Sequence, residues 1–440
     1  MLIHQIFDHI QDFDTNKKCL IYGKIQLTYG EFIQNVDELA YQLGTHIKKG
    51  DKILVKLVNP VSQLLYFFGI LKVGGACVFI DSSTSEEVCI ELMERHNINL
   101  YIDENFQLST EVVSEFPKIN QEDLFLGALS SGSTGTPKLI WRDHQSWSRG
   151  FPIQSKTFTI SGLDTLYLVS SLVYTANLNA CLHVFSEGGT VVMASHSLPR
   201  TWLKDMMNHD ISAIFMVPAN YRILLKVMKS SLPQVTSIVT AGAKIDQETV
   251  QKLVEKFPQA KIYEYYGASE LGHVSYSTAE DLLLNPESVG KAFPGVILTI
   301  EDDCIWAQSP YLAPDYRPKA TVGDLGRIDA DGYLYLLGRK QGLINAGGIK
   351  VIPEQVEKVL LQCPGIADVV VGGIDDSIRG QKVCAWIVKK SKTLMSGDII
   401  EFCRRKMRPH YCPSKIIFID EIPLNKSGKI DRMGLKRQLQ

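Results

Sequence analysis

An α/β fold with mostly parallel sheets is what this 440-residue chain predicts. Short apolar strands alternate with amphipathic helices over the first two thirds, glycine and proline turns bound them, and the pattern changes near residues 286 and 338. A helix between two strands returns the chain to the same edge of a sheet, so alternation favours parallel pairing.

The elements follow in order. Phe32, Val36, Leu39, Ala40 and Leu43 recur at helical spacing, and Lys52–Leu57 reads as a strand. Ser62–Lys72 reads as a helix, and Ala76–Ile80 as a buried strand after the Gly74-Gly75 turn. Thr190–Met193, Ala213–Val217, Ser237–Thr240 and Lys261–Tyr263 are further short strands, with helical patterns at Tyr221–Met228 and Gln247–Lys256. From Pro286 to Leu337 short strands and turns such as Asp331-Gly332 predict a small β-rich subdomain. Beyond Gly338, helix Pro353–Leu361, strands Ala367–Val371 and Lys382–Lys389 and helix Gly397–Met407 predict a small α+β domain. The expected division is 1–338 and 339–440.

Composition narrows the class. The chain is 45% hydrophobic and 21% charged, ordinary for a globular protein with a sizeable core. A net charge of −2 argues against a dedicated nucleic-acid binder or a polybasic membrane protein. The balance is uneven, because residues 341–440 hold 17 Lys and Arg against 10 Asp and Glu. Nine scattered cysteines without a C-x-x-C fit free thiols in a reducing cytosol. The start has no signal-peptide pattern, and the most apolar window, Leu64–Ile80, is broken by Lys72 and Gly74-Gly75. No transmembrane segment and a cytoplasmic location are the expectations.

The strongest local signal is Leu129-Ser130-Ser131-Gly132-Ser133-Thr134-Gly135-Thr136-Pro137-Lys138. Its glycines let the backbone present N–H groups, and its hydroxyls and lysine add donors, which is the chemistry of a polyphosphate cradle. It is not a Walker A loop, because Pro137 precedes the lysine and Leu139 follows it.

With this loop the chain resembles the adenylate-forming superfamily of acyl- and aryl-CoA synthetases, peptide-synthetase adenylation domains and luciferases. Four further segments match in the right order. Tyr263 to Glu270 resembles the family's Tyr-Gly-x-Thr-Glu, Gly323-Asp324 its ribose-binding pair, Gly338-Arg339-Lys340 its hinge, and Pro423 to Lys429 its C-terminal lysine motif. The resemblance implies a large N-terminal domain of stacked α/β subdomains and a small, mobile C-terminal domain carrying Lys429.

It also implies roles. Ser130, Ser131, Gly132, Ser133, Thr134, Gly135 and Lys138 would hold the ATP phosphates, and Glu270 with Thr134 would hold Mg²⁺. Tyr266 would stack on adenine, with Gly242, Tyr265 and Gly267 beside the nucleotide and Ser269 near the α-phosphate. Asp324 would accept from the ribose hydroxyls, and Arg339 would lie near ribose and phosphate. Lys429, Glu270 and Thr134 are the expected catalytic set. Lys429 would bridge the substrate carboxylate and the α-phosphate. No side-chain nucleophile is needed, because the carboxylate attacks; His144, His183 and His273 read as core or surface histidines.

The acceptor defines the second half-reaction. Gly347-Gly348 with Val351, Pro353 and Val356-Glu357 resembles the acyl-CoA synthetase version of its segment, and a glycine pair lets a slim pantetheine arm approach backbone. CoA thioester formation is therefore expected, in a setting of fatty acid metabolism. A carrier protein's phosphopantetheine is the alternative acceptor, and a non-catalytic nucleotide-binding homologue the alternative class. Three departures bear on the thiol step: Gln341 at the hinge, Ile349 after the glycine pair, and Tyr174 at the usual aromatic gate. Tyr174, Ala241 and Gly267 would line the acid pocket. Its apolar neighbours Val173, Ala176, Leu178 and Leu271 favour an acyl or aryl carboxylate over an amino acid.

Overall fold

The structure, a computed structural model, describes residues 1–8, 14–130, 138–376, 380–391, 393–423 and 430–437. Two compact units divide the chain: one of residues 1–299, 306–322 and 329–334, the other of residues 300–305, 323–328 and 335–440.

The first unit holds a nine-stranded and a five-stranded sheet. In the larger sheet, strands Lys261–Ala268, Ser237–Ala241, Ala213–Phe215, Thr165–Leu168, Thr190–Met193 and Lys18–Tyr22 lie side by side in parallel. Antiparallel strands close both edges: Gly272–Thr278 and Lys291–Ala292 at one, Ile25–Thr28 at the other. The parallel run is buried on both faces, so Ser237–Ala241 and Thr190–Met193 are buried throughout and read as continuous rather than alternating patterns.

Local chemistry sets the helix ends. Asp246 caps helix Gln247–Lys256 by accepting from the Thr249 N–H, and Val250 and Leu253 turn inward, each burial contributing about 1.5–3 kcal/mol. Thr28 and Glu31 form a reciprocal capping box on helix Tyr29–Leu43. The smaller sheet ends in the antiparallel hairpin Leu124–Ser130 and Lys138–Asp143, with Ser130 opposite Lys138.

In the second unit, Asp324–Ile328 and residues of Leu334–Arg339 belong to a four-stranded sheet. A separate five-stranded sheet is built on the long hairpin Ile366–Asp376 and Gly380–Lys389. Helices Pro353–Leu360 and Ser396–Lys406 bury Val356, Leu360, Ile399 and Cys403 with this sheet's apolar residues. All nine cysteines are free. No helix among the described residues is long and apolar enough to cross a membrane.

Candidate active site

In the first unit the site is built around Arg142. Strand Lys138–Asp143 reads apolar at Leu139, Ile140 and Trp141, yet carries this guanidinium into the interior, where it is 1% exposed. Nη1 donates to the carbonyl of Ser269 at 3.0 Å, with a longer contact of 3.5 Å to the carbonyl of Glu270. Nη2 donates to the carbonyls of Tyr311 at 2.6 Å and Ser146 at 3.1 Å. Burial pulls the group down to about 9, so it remains a cation at neutral pH. Its neighbour Asp143 is pushed up by burial but held below the usual carboxylate range by hydrogen bonds, first from Arg317 at 2.7 Å.

These contacts fix the turn that carries Glu270. The Ala313 N–H donates to the Glu270 carbonyl at 2.9 Å, so backbone groups on both sides hold the turn. Among the described residues, the Glu270 carboxylate forms no hydrogen bond or ion pair. One free carboxylate beside phosphate oxygens is a donor set that suits Mg²⁺, which binds through one or two carboxylates, substrate phosphates and water. Lys138 lies in the same unit, its ammonium 2.9 Å from the Tyr316 hydroxyl, and that bond raises its affinity for the proton.

Helix Thr175–Ser186 begins beside this turn: Thr175 Oγ1 lies 3.4 Å from Ser269 Oγ. Its first turn has no side-chain cap and no acidic residue. The helix dipole and free N–H groups therefore favour an anion there. Tyr174, immediately before the helix, is 50% exposed. Ala241 ends its strand opposite Tyr265, and Gly242 follows at φ 88°. Gly267 is held to glycine by crowding, because a Cβ there would lie 2.4 Å from the Gly272 carbonyl oxygen.

Tyr265 and Tyr266 are neighbours on one strand and so face opposite sides of the sheet. Tyr266 is half-buried. The Tyr265 ring packs inward, its centroid 4.4 Å from that of His273 and 6.3 Å from that of Phe215. The nearby Glu264 is 2% exposed and accepts from Lys244 at 2.5 Å and the Ile245 N–H at 2.6 Å, which steadies the strand below the site.

The second unit, taken by itself, holds two groups of expected residues. Arg339 Nε donates to Asp324 Oδ1 at 2.9 Å; Asp324 is 6% exposed, and the Lys340 N–H closes the turn onto the Gly323 carbonyl. Gly347 and Gly348 join strands Ile344–Ala346 and Ile349–Val351 with φ of 67° and 88°, the left-handed region that disfavours any Cβ. The Asn345 side chain accepts from the Gly348 N–H, and the space beyond Gly348 is open.

Several expected residues lie outside the described ones: Ser131, Gly132, Ser133, Thr134 and Gly135 of the phosphate loop, and Lys429. Of Ser130 the structure describes only the backbone, at the end of its strand. Arg142 was not legible as functional, since a lone arginine in an apolar strand carries no motif. The one available signal was its position four residues after Lys138.

The chain belongs to the AMP-binding enzyme family: residues 7–305 match it, and residues 355–429 match the AMP-binding enzyme C-terminal domain. Relatives include an uncharacterized acyl-CoA ligase of Bacillus subtilis, 28% identical over 94% of both chains. A long-chain-fatty-acid–CoA ligase of Mycobacterium tuberculosis is 24% identical over 94% of this chain and 93% of its own. Among solved structures, O-succinylbenzoate coenzyme A synthetase of Bacillus subtilis in complex with AMP matches with a TM-score of 0.85. It covers 100% of this chain and 98% of its own at 20% identity. That likeness establishes the fold, a large N-terminal domain with a small C-terminal one.

Proposed function

We propose that the chain is an AMP-forming acid–CoA ligase. It activates a carboxylic acid with ATP to an acyl-adenylate, releasing pyrophosphate, and then transfers the acyl group to CoA. The observation that carries the reading is the Ser269–Glu270 turn, clamped by Arg142 beside the N-terminus of helix Thr175–Ser186, within a chain whose motifs follow the family's order.

The chemistry asks for positive potential where anions meet. A carboxylate attacking the α-phosphate brings two negative charges together, and pyrophosphate leaves with more. In this reading Lys429 bridges the carboxylate and the α-phosphate, while Lys138 and the loop from Ser130 to Gly135 hold the polyphosphate. Glu270 and Thr134 hold Mg²⁺, which when bound neutralises charge on the phosphate oxygens. Tyr266 stacks on adenine, Gly242 and Gly267 border the nucleotide, and Asp324 and Arg339 take the ribose side. Residues 339–440 act as a mobile C-terminal domain in a cytoplasmic enzyme.

Names of relatives and the open Gly347-Gly348 turn support CoA as acceptor. A carrier-protein thiol is the alternative acceptor, and the departures at Gln341, Ile349 and Tyr174 bear on that step. Protein incubated with ATP, Mg²⁺, CoA and a panel of acids separates the two by product mass. The proposal expects AMP and an acyl-CoA; adenylate accumulating without thioester would remove the CoA step.

A further inference from the structure

A cavity of about 20 Å³ lies in the first unit, against the nine-stranded sheet. Two periodicities connect it to the proposed reaction centre. Phe215, Val239 and Tyr265 line it from three neighbouring strands, and Ala241, two residues beyond Val239, ends the middle one. Alternate residues share a face, so on this strand the cavity lies about 6.6 Å below the end. On helix Thr175–Ser186, Thr175, Asn179 and His183 fall four residues apart on one face. Thr175 touches Ser269, and Asn179 and His183 line the cavity about 6 Å and 12 Å further along the axis.

Its lining is unusual for a core. Gln154, Asn179, His183 and His273 are 3%, 8%, 2% and 9% exposed. Among the described residues, the side chains of Gln154, Asn179 and His273 form no hydrogen bond. His183 is bonded through Nε2 to Ser155 Oγ at 2.8 Å, which in turn lies 2.6 Å from Glu187. Polar side chains converging on one otherwise apolar cavity are the pattern of a small-molecule recognition site.

No charged side chain lines the cavity, and burial holds both histidines at about 3, hence neutral. An ionised group would lose its hydration there without a counter-charge, which excludes a second carboxylate or an ammonium. Phe158, Phe215, Tyr265 and His273 give it an aromatic lining, which suits an aromatic acid. The volume takes a substituent of one or two heavy atoms, not an alkyl tail.

We propose that the acid is a single-ring aromatic carboxylate with an uncharged hydrogen-bonding substituent, a hydroxyl, at the end away from the carboxylate. The hydroxyl lies among Gln154, Asn179 and His273, and the ring spans from there to the strand ends. This assignment rests on the ligase reading and deepens it.

The test is pyrophosphate release with 4-hydroxybenzoate, benzoate, terephthalate, octanoate and dodecanoate, alongside calorimetric binding of each acid to the full chain. The expected kcat/KM for 4-hydroxybenzoate exceeds that for benzoate at least tenfold, with terephthalate and dodecanoate inert. The hydroxyl preference falls at least fivefold in Asn179→Leu and in Gln154→Met, a ratio that partial unfolding does not move. Preferred turnover of octanoate or dodecanoate, or an unchanged ratio in both variants, overturns the assignment while the ligase reading stands. No pyrophosphate release with any acid removes the ligase reading and this assignment with it.

Discussion

The Arg142 guanidinium reaches across 127 positions of sequence to the carbonyl of Ser269, 3.0 Å away, and so ties the strand after the phosphate loop to the turn before Glu270. Replacement by glutamine leaves the buried carbonyls of Ser146, Ser269 and Tyr311 short of donors. At about 1–3 kcal/mol for each unmet group, Arg142→Gln is expected to cost at least about 3 kcal/mol in denaturant unfolding. Arg142→Lys keeps the charge but not the fork, so the KM for MgATP should rise about tenfold with a smaller stability loss. An unchanged KM in the lysine variant would separate Arg142 from the site.

Acid stability should report the buried histidines. Burial holds His144, His183 and His273 at about 3, against 6.5 for an ordinary histidine. The unfolded chain takes up a proton near 6.5 and the folded one does not, so stability is full above 6.5 and is lost as pH falls toward 3. Each histidine contributes a slope of about 1.4 kcal/mol per pH unit in that window. His144 accepts from the Ile3 N–H at 3.0 Å, a bond asparagine can replace. The stability of wild type relative to His144→Asn should therefore fall by about 1.4 kcal/mol per pH unit between pH 6 and 4. A flat difference would show that His144 is protonated in the folded protein.

Gly348, at φ 88°, offers a test of the second half-reaction. A Cβ there strains the turn by about 1–2 kcal/mol and occupies the open space beyond it. Gly348→Ala should slow thioester formation at least tenfold more than adenylate formation, measured in separate single-turnover assays. Equal slowing of both steps would place the glycine pair outside the thiol path.

Much of this architecture was legible because local chemistry and tertiary packing agree. Helix Gln247–Lys256 follows its cap Asp246, and strand Leu334–Arg339 follows the turn at Gly332. The alternation that predicted mostly parallel sheets appears as the run of parallel strands in the larger sheet. Less legible were groups defined by which way a side chain faces. Tyr265 and Tyr266 read alike in sequence, yet adjacent strand residues face opposite sides, and Tyr265 belongs to the inner aromatic cluster. His183 and His273 are buried histidines, but pattern alone does not show that Asn179 and Gln154 join them around a cavity. Arg142 was invisible for the same reason: its partners lie on segments up to 169 positions away.

The central claim is that the chain makes an acyl-adenylate under the control of Lys429. ATP–pyrophosphate exchange in wild type and Lys429→Ala, paired with thioester formation from a supplied acyl-adenylate, tests it most directly. The account predicts that exchange disappears in the variant while the supplied adenylate is still converted to thioester. Exchange at the wild-type rate in Lys429→Ala would contradict it.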